Sequence, residues 1–179
     1  MLQDDPRRLL VNVAKILQKL KIPYIVTGGI AVLVWGRPRF TADIDIVVEL
    51  KDENISLLEK ALLAISKTSY VDKGVMHQAL LSGREFNFID GETGVKVDFW
   101  IFKKSNSFDE CRLKRRKTKI ILGQKVYFIS PEDLILSKLE WYKNSQSSRH
   151  LEDAESVIKI SGKILDMKKV EVRRNGEWY

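Results

Sequence analysis

The segment Asp43-Ile44-Asp45-Ile46-Val47-Val48 alternates acids with branched aliphatic residues and closes on two valines. Successive side chains of a strand leave on opposite faces, so Ile44 and Ile46 enter a core while Asp43 and Asp45 emerge together on the other side. Any fold for this chain therefore needs a sheet with one covered face and one face that tolerates paired carboxylates. Two carboxylates a few ångströms apart repel each other unless a cation lies between them, and hard oxygen ligands favour Mg²⁺ or Mn²⁺. A lone Asp-x-Asp also occurs as a solvated strand edge or turn, so its surroundings decide its meaning.

Two neighbouring features bear on it. Ile22 to Thr27 reads as a buried strand that breaks at Gly28-Gly29, and the apolar run Ile30 to Trp35 that follows reads as a buried helix. Glycines between a strand and a helix let backbone approach a ligand closely, and the free N–H groups of a helix start bind phosphate. Neither a Walker loop nor the dinucleotide fingerprint is present, because the required lysine and third glycine are missing. Farther on, Val95 to Ile101 alternates clearly, with Val97, Phe99 and Ile101 on one face and Lys96, Asp98 and Trp100 on the other. Asp98 is the third acid that such a site can use.

The rest of the chain supplies a core and helices. Pro6 to about Leu20 is an amphipathic helix, as is Asp52 to Ser66. Val75 to Leu81, Phe86 to Asp90, Lys119 to Leu122 and Lys125 to Ile129 are predicted strands. Ser130-Pro131-Glu132-Asp133 is a helix start, with helices expected to about Lys143 and over about Arg149 to Ile160. The end, 162 to 179, is too mixed to assign. Apolar residues make up 44% of the 179, enough for one core. The longest uncharged run, Ile22 to Gly36, is 15 residues, short of the roughly 20 apolar residues a membrane helix needs. With one cysteine and no leader-like start, the chain reads as a cytoplasmic protein.

Charge is unevenly spread. Lys and Arg number 31 against 24 acids, a net +7; residues 22 to 102 carry −3 and residues 103 to 119 carry +6. The basic stretch fits an anionic partner or a solvated surface segment.

Gly28-Gly29, thirteen intervening residues, Asp43-x-Asp45 and the later strand acid Asp98 resemble the signature of the nucleotidyltransferase superfamily, which includes DNA polymerase β and aminoglycoside nucleotidyltransferases. Gly28-Gly29-Ile30-Ala31 and Arg37-Pro38-Arg39-Phe40-Thr41-Ala42-Asp43-Ile44-Asp45 resemble its small prokaryotic branch near the AbiEii-type toxins. Pro131 to Trp141, then Arg149 and Asp153, are similar to that branch's helical motif with its lysine, here Lys138, and its Arg-x-x-x-Asp. The resemblance spans about residues 22 to 160. Gly29 stands where many relatives carry serine, which leaves phosphate contact to backbone N–H groups.

The fold so implied is α/β (α+β): a mixed-sheet nucleotidyltransferase core over about 22–129 and a helical part over about 130–161, in a single domain over 1–179. The implied chemistry moves a nucleoside monophosphate from an NTP to a hydroxyl. Asp43, Asp45 and Asp98 would bind Mg²⁺ or Mn²⁺, and Gly28, Gly29 and Lys138 would hold phosphates. Arg39, Thr41 and Asp153 are further candidate nucleotide contacts. RNA or a tRNA end is one acceptor class and a small antibiotic-type compound another; an antitoxin is a candidate protein partner. A non-catalytic nucleotide- or partner-binding module is the third reading, which three retained acids oppose.

Helical projection places Leu134, Ile135, Leu139, Trp141 and Tyr142 on one broad arc with Lys138 inside it, and Asp153 inside the arc of Leu151, Ala154, Val157, Ile158 and Ile160. Lys138 is then either functional or snorkelling along an apolar face. Asp153 is either functional or the i,i+4 partner of Arg149. Trp100 and Trp141 are core residues or stack on a base. His77, Cys111 and His150 receive no role.

Overall fold

The computed structural model describes residues 5–102 and 107–166. Lys103 and Lys104 of the basic stretch, and the tail from 167 on, lie outside the described residues.

Asp5 caps the first helix, α1 (Pro6–Lys19), accepting the Arg7 N–H at 3.0 Å, with Pro6 at the first helical position. Its stripe of Leu9, Leu10, Val13, Ala14 and Leu17 is buried, and each such leucine contributes about 2 kcal/mol. Then come β1 (Tyr24–Thr27), α2 (Gly28–Trp35), β2 (Asp43–Val48), α3 (Asp52–Leu63), α4 (Lys73–Ser82), β3 (Glu85–Ile89) and β4 (Lys96–Ile101). The basic stretch forms α5 (Ser107–Lys114) and β5 (Lys117–Ile121), followed by β6 (Gln124–Phe128), α6 (Pro131–Ser145), α7 (Ser148–Ser161) and a 3₁₀ turn at Gly162–Ile164.

The six strands form one mixed sheet in the order β3-β4-β2-β1-β6-β5. β2 runs antiparallel to β1 and parallel to β4. Ile44, Ile46, Val97, Phe99, Phe86 and Phe88 enter the core from one face, and Phe86 stacks on Phe99 with ring centres 4.9 Å apart. The acids of β2 and β4 leave on the other face. α2 packs against β1, β2, α6 and α7, and α6 lies along α7. No helix among the described residues is long and apolar enough to cross a membrane.

Two expectations are corrected. Residues 75 to 81 are helical, not a strand: Asp72 caps α4 by accepting the Val75 N–H at 2.8 Å, Gly83 ends it in the left-handed region, and Met76 and Ala79 bury at a three-residue spacing. On α6, Leu139 is exposed and Trp141 is 49% exposed. The inward face instead holds Glu132, Asp133, Ser137 and Lys138 beside Leu134 and Ile135. Ile158 and Ile160 of α7 likewise face out.

Candidate active site

The turn from β1 into α2 lies beside the acids of β2. Thr27 stands opposite Asp45 in the antiparallel pair. Gly28 has φ +63°, and a Cβ there would overlap the Asp45 carboxylate. Only glycine satisfies both conditions. A Cβ at Gly29 would strike the Thr41 side chain, whose hydroxyl donates to the Asp43 carbonyl at 3.3 Å. The second glycine thus leaves the space that Thr41 fills.

Parallel register puts Asp45 beside Asp98 and Asp43 beside Lys96. Asp43 is half exposed and Asp98 largely covered, at 45% and 14% side-chain exposure. Lys96 Nζ lies 2.9 Å from Asp98 Oδ2 and 3.9 Å from Asp43 Oδ1. Burial pushes the Asp45 carboxyl above the usual carboxylate range, and Asp98 and Asp43 push it further; the Trp100 indole N–H, at 3.4 Å, and the Lys138 charge oppose this. The hydrogen bond to Asp98 holds the Lys96 ammonium above the usual lysine value, against some desolvation, with the charges of all three acids adding to it.

Among the described residues no three Asp, Glu, His or Cys side chains are already closed around one point as a metal cage. The donor set nevertheless fits a hard divalent cation. It is all oxygen, two of its members are direct cross-strand neighbours, and one of those, Asp45, is destabilised in its charged form by the other two.

A second cluster lies on the helices. Asp153 takes Arg39 in a two-pronged pair, from Nε at 2.7 Å and Nη2 at 2.8 Å, and Lys138 Nζ at 2.9 Å. Burial alone would raise the Asp153 carboxyl, but the hydrogen bonds from Arg39 and Lys138 outweigh it and hold the group below the usual range. Arg149 is not its partner; its guanidinium donates to the Phe40 carbonyl at 3.1 Å. Arg39 and Arg149 thus tie the loop before β2 to α7.

Each cluster contributes one side chain, Asp45 or Lys138, to one cavity of about 590 Å³. Thr27, Gly28, Asp45 and Lys138 line one part of it, and Glu85, Trp100, Asp109, Arg112, Glu140 and Trp141 line others. Trp141 meets Trp100 edge-on at 6.0 Å and stacks on His150 at 6.1 Å, forming an aromatic wall. His150 also lines the cavity, and burial and the nearby Lys138 charge depress its pKa, which favours the neutral ring. Asp43, Asp98, Gly29, Arg39, Thr41 and Asp153 are not among the cavity's lining residues.

A family model described as "Nucleotidyl transferase of unknown function (DUF2204)" matches residues 7–177. The chain belongs to this family. A comparison of the DUF2204 chain with curated proteins returned no match. Solved structures share its fold. An antigenic nucleotidyltransferase-like protein from Paracoccidioides brasiliensis is 22% identical with a TM-score of 0.57, over 88% of this chain and 77% of that one. ANT(2'')-Ia in complex with adenylyl-2''-tobramycin is 16% identical with a TM-score of 0.60, over 96% and 95%. The lincosamide antibiotic adenylyltransferase LnuA, lincomycin-bound, is 15% identical with a TM-score of 0.53, over 84% and 96%. The DUF2204 chain is therefore a nucleotidyltransferase in fold and family.

Lys96 and His150 of this DUF2204 member escaped sequence reasoning as site residues. For Lys96 a signal exists: Lys96-x-Asp98-x-Trp100 places all three on the acid face. For His150 there is none, because its place beside Trp141 depends on how α7 folds back along α6.

Proposed function

We propose that the protein moves a nucleoside monophosphate from an NTP to a hydroxyl of a small acceptor, with Mg²⁺ or Mn²⁺ held by Asp43, Asp45 and Asp98. The observation that carries this reading is the shared cavity, where Asp45 and Lys138 meet beside the turn at Gly28 while an aromatic wall and mixed charges line the remainder. Such a volume suits one small molecule alongside a phosphate group.

The acceptor oxygen attacks the α-phosphorus, the bond to the β-phosphate oxygen breaks, and pyrophosphate leaves. Asp43, Asp45 and Asp98 would hold a divalent cation, which would lower the pKa of the attacking hydroxyl and stabilise charge on the phosphate oxygens. The backbone at Gly28-Gly29 opens α2 toward the phosphates with its free N–H groups. Lys138, held in place by Asp153, offsets negative charge developing on the triphosphate. Trp100 orients Asp45 through its indole N–H. Arg39 and Thr41 act one step back, fixing the loop that leads into Asp43.

The basic stretch supports the small acceptor over a polyanion. Arg112 pairs with Asp109 at 2.6 Å and Arg115 with Asp133 at 3.1 Å. Arg116 lies over the Tyr127 ring and Lys119 over the Trp35 ring. Of six described basic side chains in 107–119, these four are engaged within the fold. An RNA or tRNA acceptor, an antitoxin partner and kinship with the AbiEii-type branch rest on the sequence resemblance.

The test is incubation with each α-labelled NTP, Mg²⁺ or Mn²⁺, and either a panel of small hydroxyl compounds or total RNA, beside Asp43→Ala. Metal-dependent label in small products, absent with Asp43→Ala, is the expected result. Label in RNA moves the acceptor to the polyanion class. Nucleotide binding without turnover on any acceptor overturns the catalytic reading.

A further inference from the structure

The acids of the site share their sheet face with a cation from the same strand. Lys96 precedes Asp98 by two residues on β4 and faces Asp43 across the parallel register. Among the described residues, the ion pairs of Asp43 and Asp98 are both with its ammonium, at 3.9 and 2.9 Å. The other lysine nearby, Lys138, is committed to Asp153 at 2.9 Å. Asp43, Asp45, Asp98 and Lys96 together carry two net negative charges, the charge one divalent cation cancels. An ammonium this close to Asp98 and a divalent ion held by the same carboxylates repel each other.

We propose that Lys96 is a resident counter-ion that holds Asp43 and Asp98 in the metal-free site and is displaced from Asp98 when a divalent cation enters. The proposal rests on the metal reading of the three acids given above. It makes Lys96 a determinant of cation affinity. A free ion must compete with a tethered ammonium, whereas an ion arriving with a nucleotide brings phosphate oxygens toward which the ammonium can turn. An isolated ion is therefore held weakly, and cation and nucleotide favour each other's binding. A lysine that only stabilised the β2–β4 pairing would leave cation affinity unchanged.

The experiment is titration of the full-length protein with Mn²⁺, read from the loss of the free-ion EPR signal. Wild type is compared with Lys96→Met, which keeps the length and loses the charge, and with Lys96→Arg, which keeps the charge. Lys96→Met is expected to bind Mn²⁺ about tenfold more tightly than wild type, with Lys96→Arg close to wild type. The gap between wild type and Lys96→Met narrows when a non-hydrolysable NTP analogue is present. Equal or weaker binding by Lys96→Met, or no binding by either protein, overturns the proposal. Should Lys96→Met not fold, Lys96→Gln serves the same comparison. Tighter Mn²⁺ binding in a protein that transfers nucleotide to no acceptor leaves this inference standing and removes the catalytic reading. An active wild type with no affinity change in Lys96→Met does the reverse.

Discussion

Two charge clusters each put one side chain into the same cavity, Asp45 from the sheet and Lys138 from the helices, and they are built in opposite ways. On the sheet, two of three carboxylates share one close ammonium, and the third, Asp45, is pushed above the usual carboxylate range by burial and by its two neighbours. On the helices, one carboxylate holds two cations, and Asp153 sits below that range because its hydrogen bonds to Arg39 and Lys138 outweigh the cost of burial. An acid excess on rigid strands is a site kept ready for a further cation, and a closed ion triad ties elements together. In the proposed mechanism the first cluster does the metal chemistry, and the second fixes the loop before β2 and holds Lys138 in place.

The sharpest way to break this contrast is to remove one acid from each cluster. Asp45→Ala is expected to lower transfer by at least about 10²- to 10³-fold, the range seen when a group that stabilises developing charge is lost. Its melting temperature should stay level or rise, since a repelling, partly buried charge is gone. Transfer assays with thermal melts check both halves, and an active or unfolded variant contradicts the assignment.

Asp153→Ala should do the opposite, costing about 3 kcal/mol of stability because Arg39 and Lys138 lose a buried partner. Urea unfolding measures it. Its effect on catalysis should follow Lys138, lowering kcat more than it raises KM for the nucleotide, because the charge that Lys138 offsets develops in the transition state.

Much of the first cluster is legible in the chain, and much of the second is not, for physical reasons. A strand's two-residue period determines faces from local sequence, so the alternation alone places Asp43 with Asp45, and Lys96 with Asp98 and Trp100, on shared faces. Which strand lies beside which cannot be read that way. The pairing of Asp43 with Lys96 comes from β2 and β4 running parallel, a tertiary property. Asp153 shows the limit more clearly. Local spacing offers Arg149 as its partner, but Arg39, 114 residues away, and Lys138 win. Trp141 is expected within an apolar arc, yet it is half exposed and lines the cavity with Lys138. At α4, an apolar run fits a strand or a helix equally well, and Asp72 and Gly83 decide for the helix.

The link between turn and acid can be probed with Gly28→Ala. The left-handed backbone costs about 1–2 kcal/mol for a residue with a Cβ, and the new methyl would also have to displace the Asp45 carboxylate. A modest loss of stability with a larger loss of transfer is expected, because the same atom disturbs the site. Stability and activity falling only in proportion would mean that Gly28 serves the turn alone.

The smallest effect is in pH dependence, where the two clusters should differ in sign. Asp153 has a depressed value in the folded state, so its contribution is present above the ordinary carboxylate pKa near 3.8 and is lost as pH falls below that toward the folded value. Asp45 has a raised folded value. Its favourable contribution is full below about 3.8 and is lost as pH rises through the folded value, leaving a net penalty at neutral pH. Urea unfolding from neutral to acid pH should therefore show Asp153→Asn losing less stability than wild type on acidification. Asp45→Asn should gain over wild type at neutral pH and lose that advantage in acid. If both variants shift the profile in the same direction, the two carboxylates share one electrostatic environment, and the division between a cation-seeking sheet and a self-satisfied helix pair does not hold.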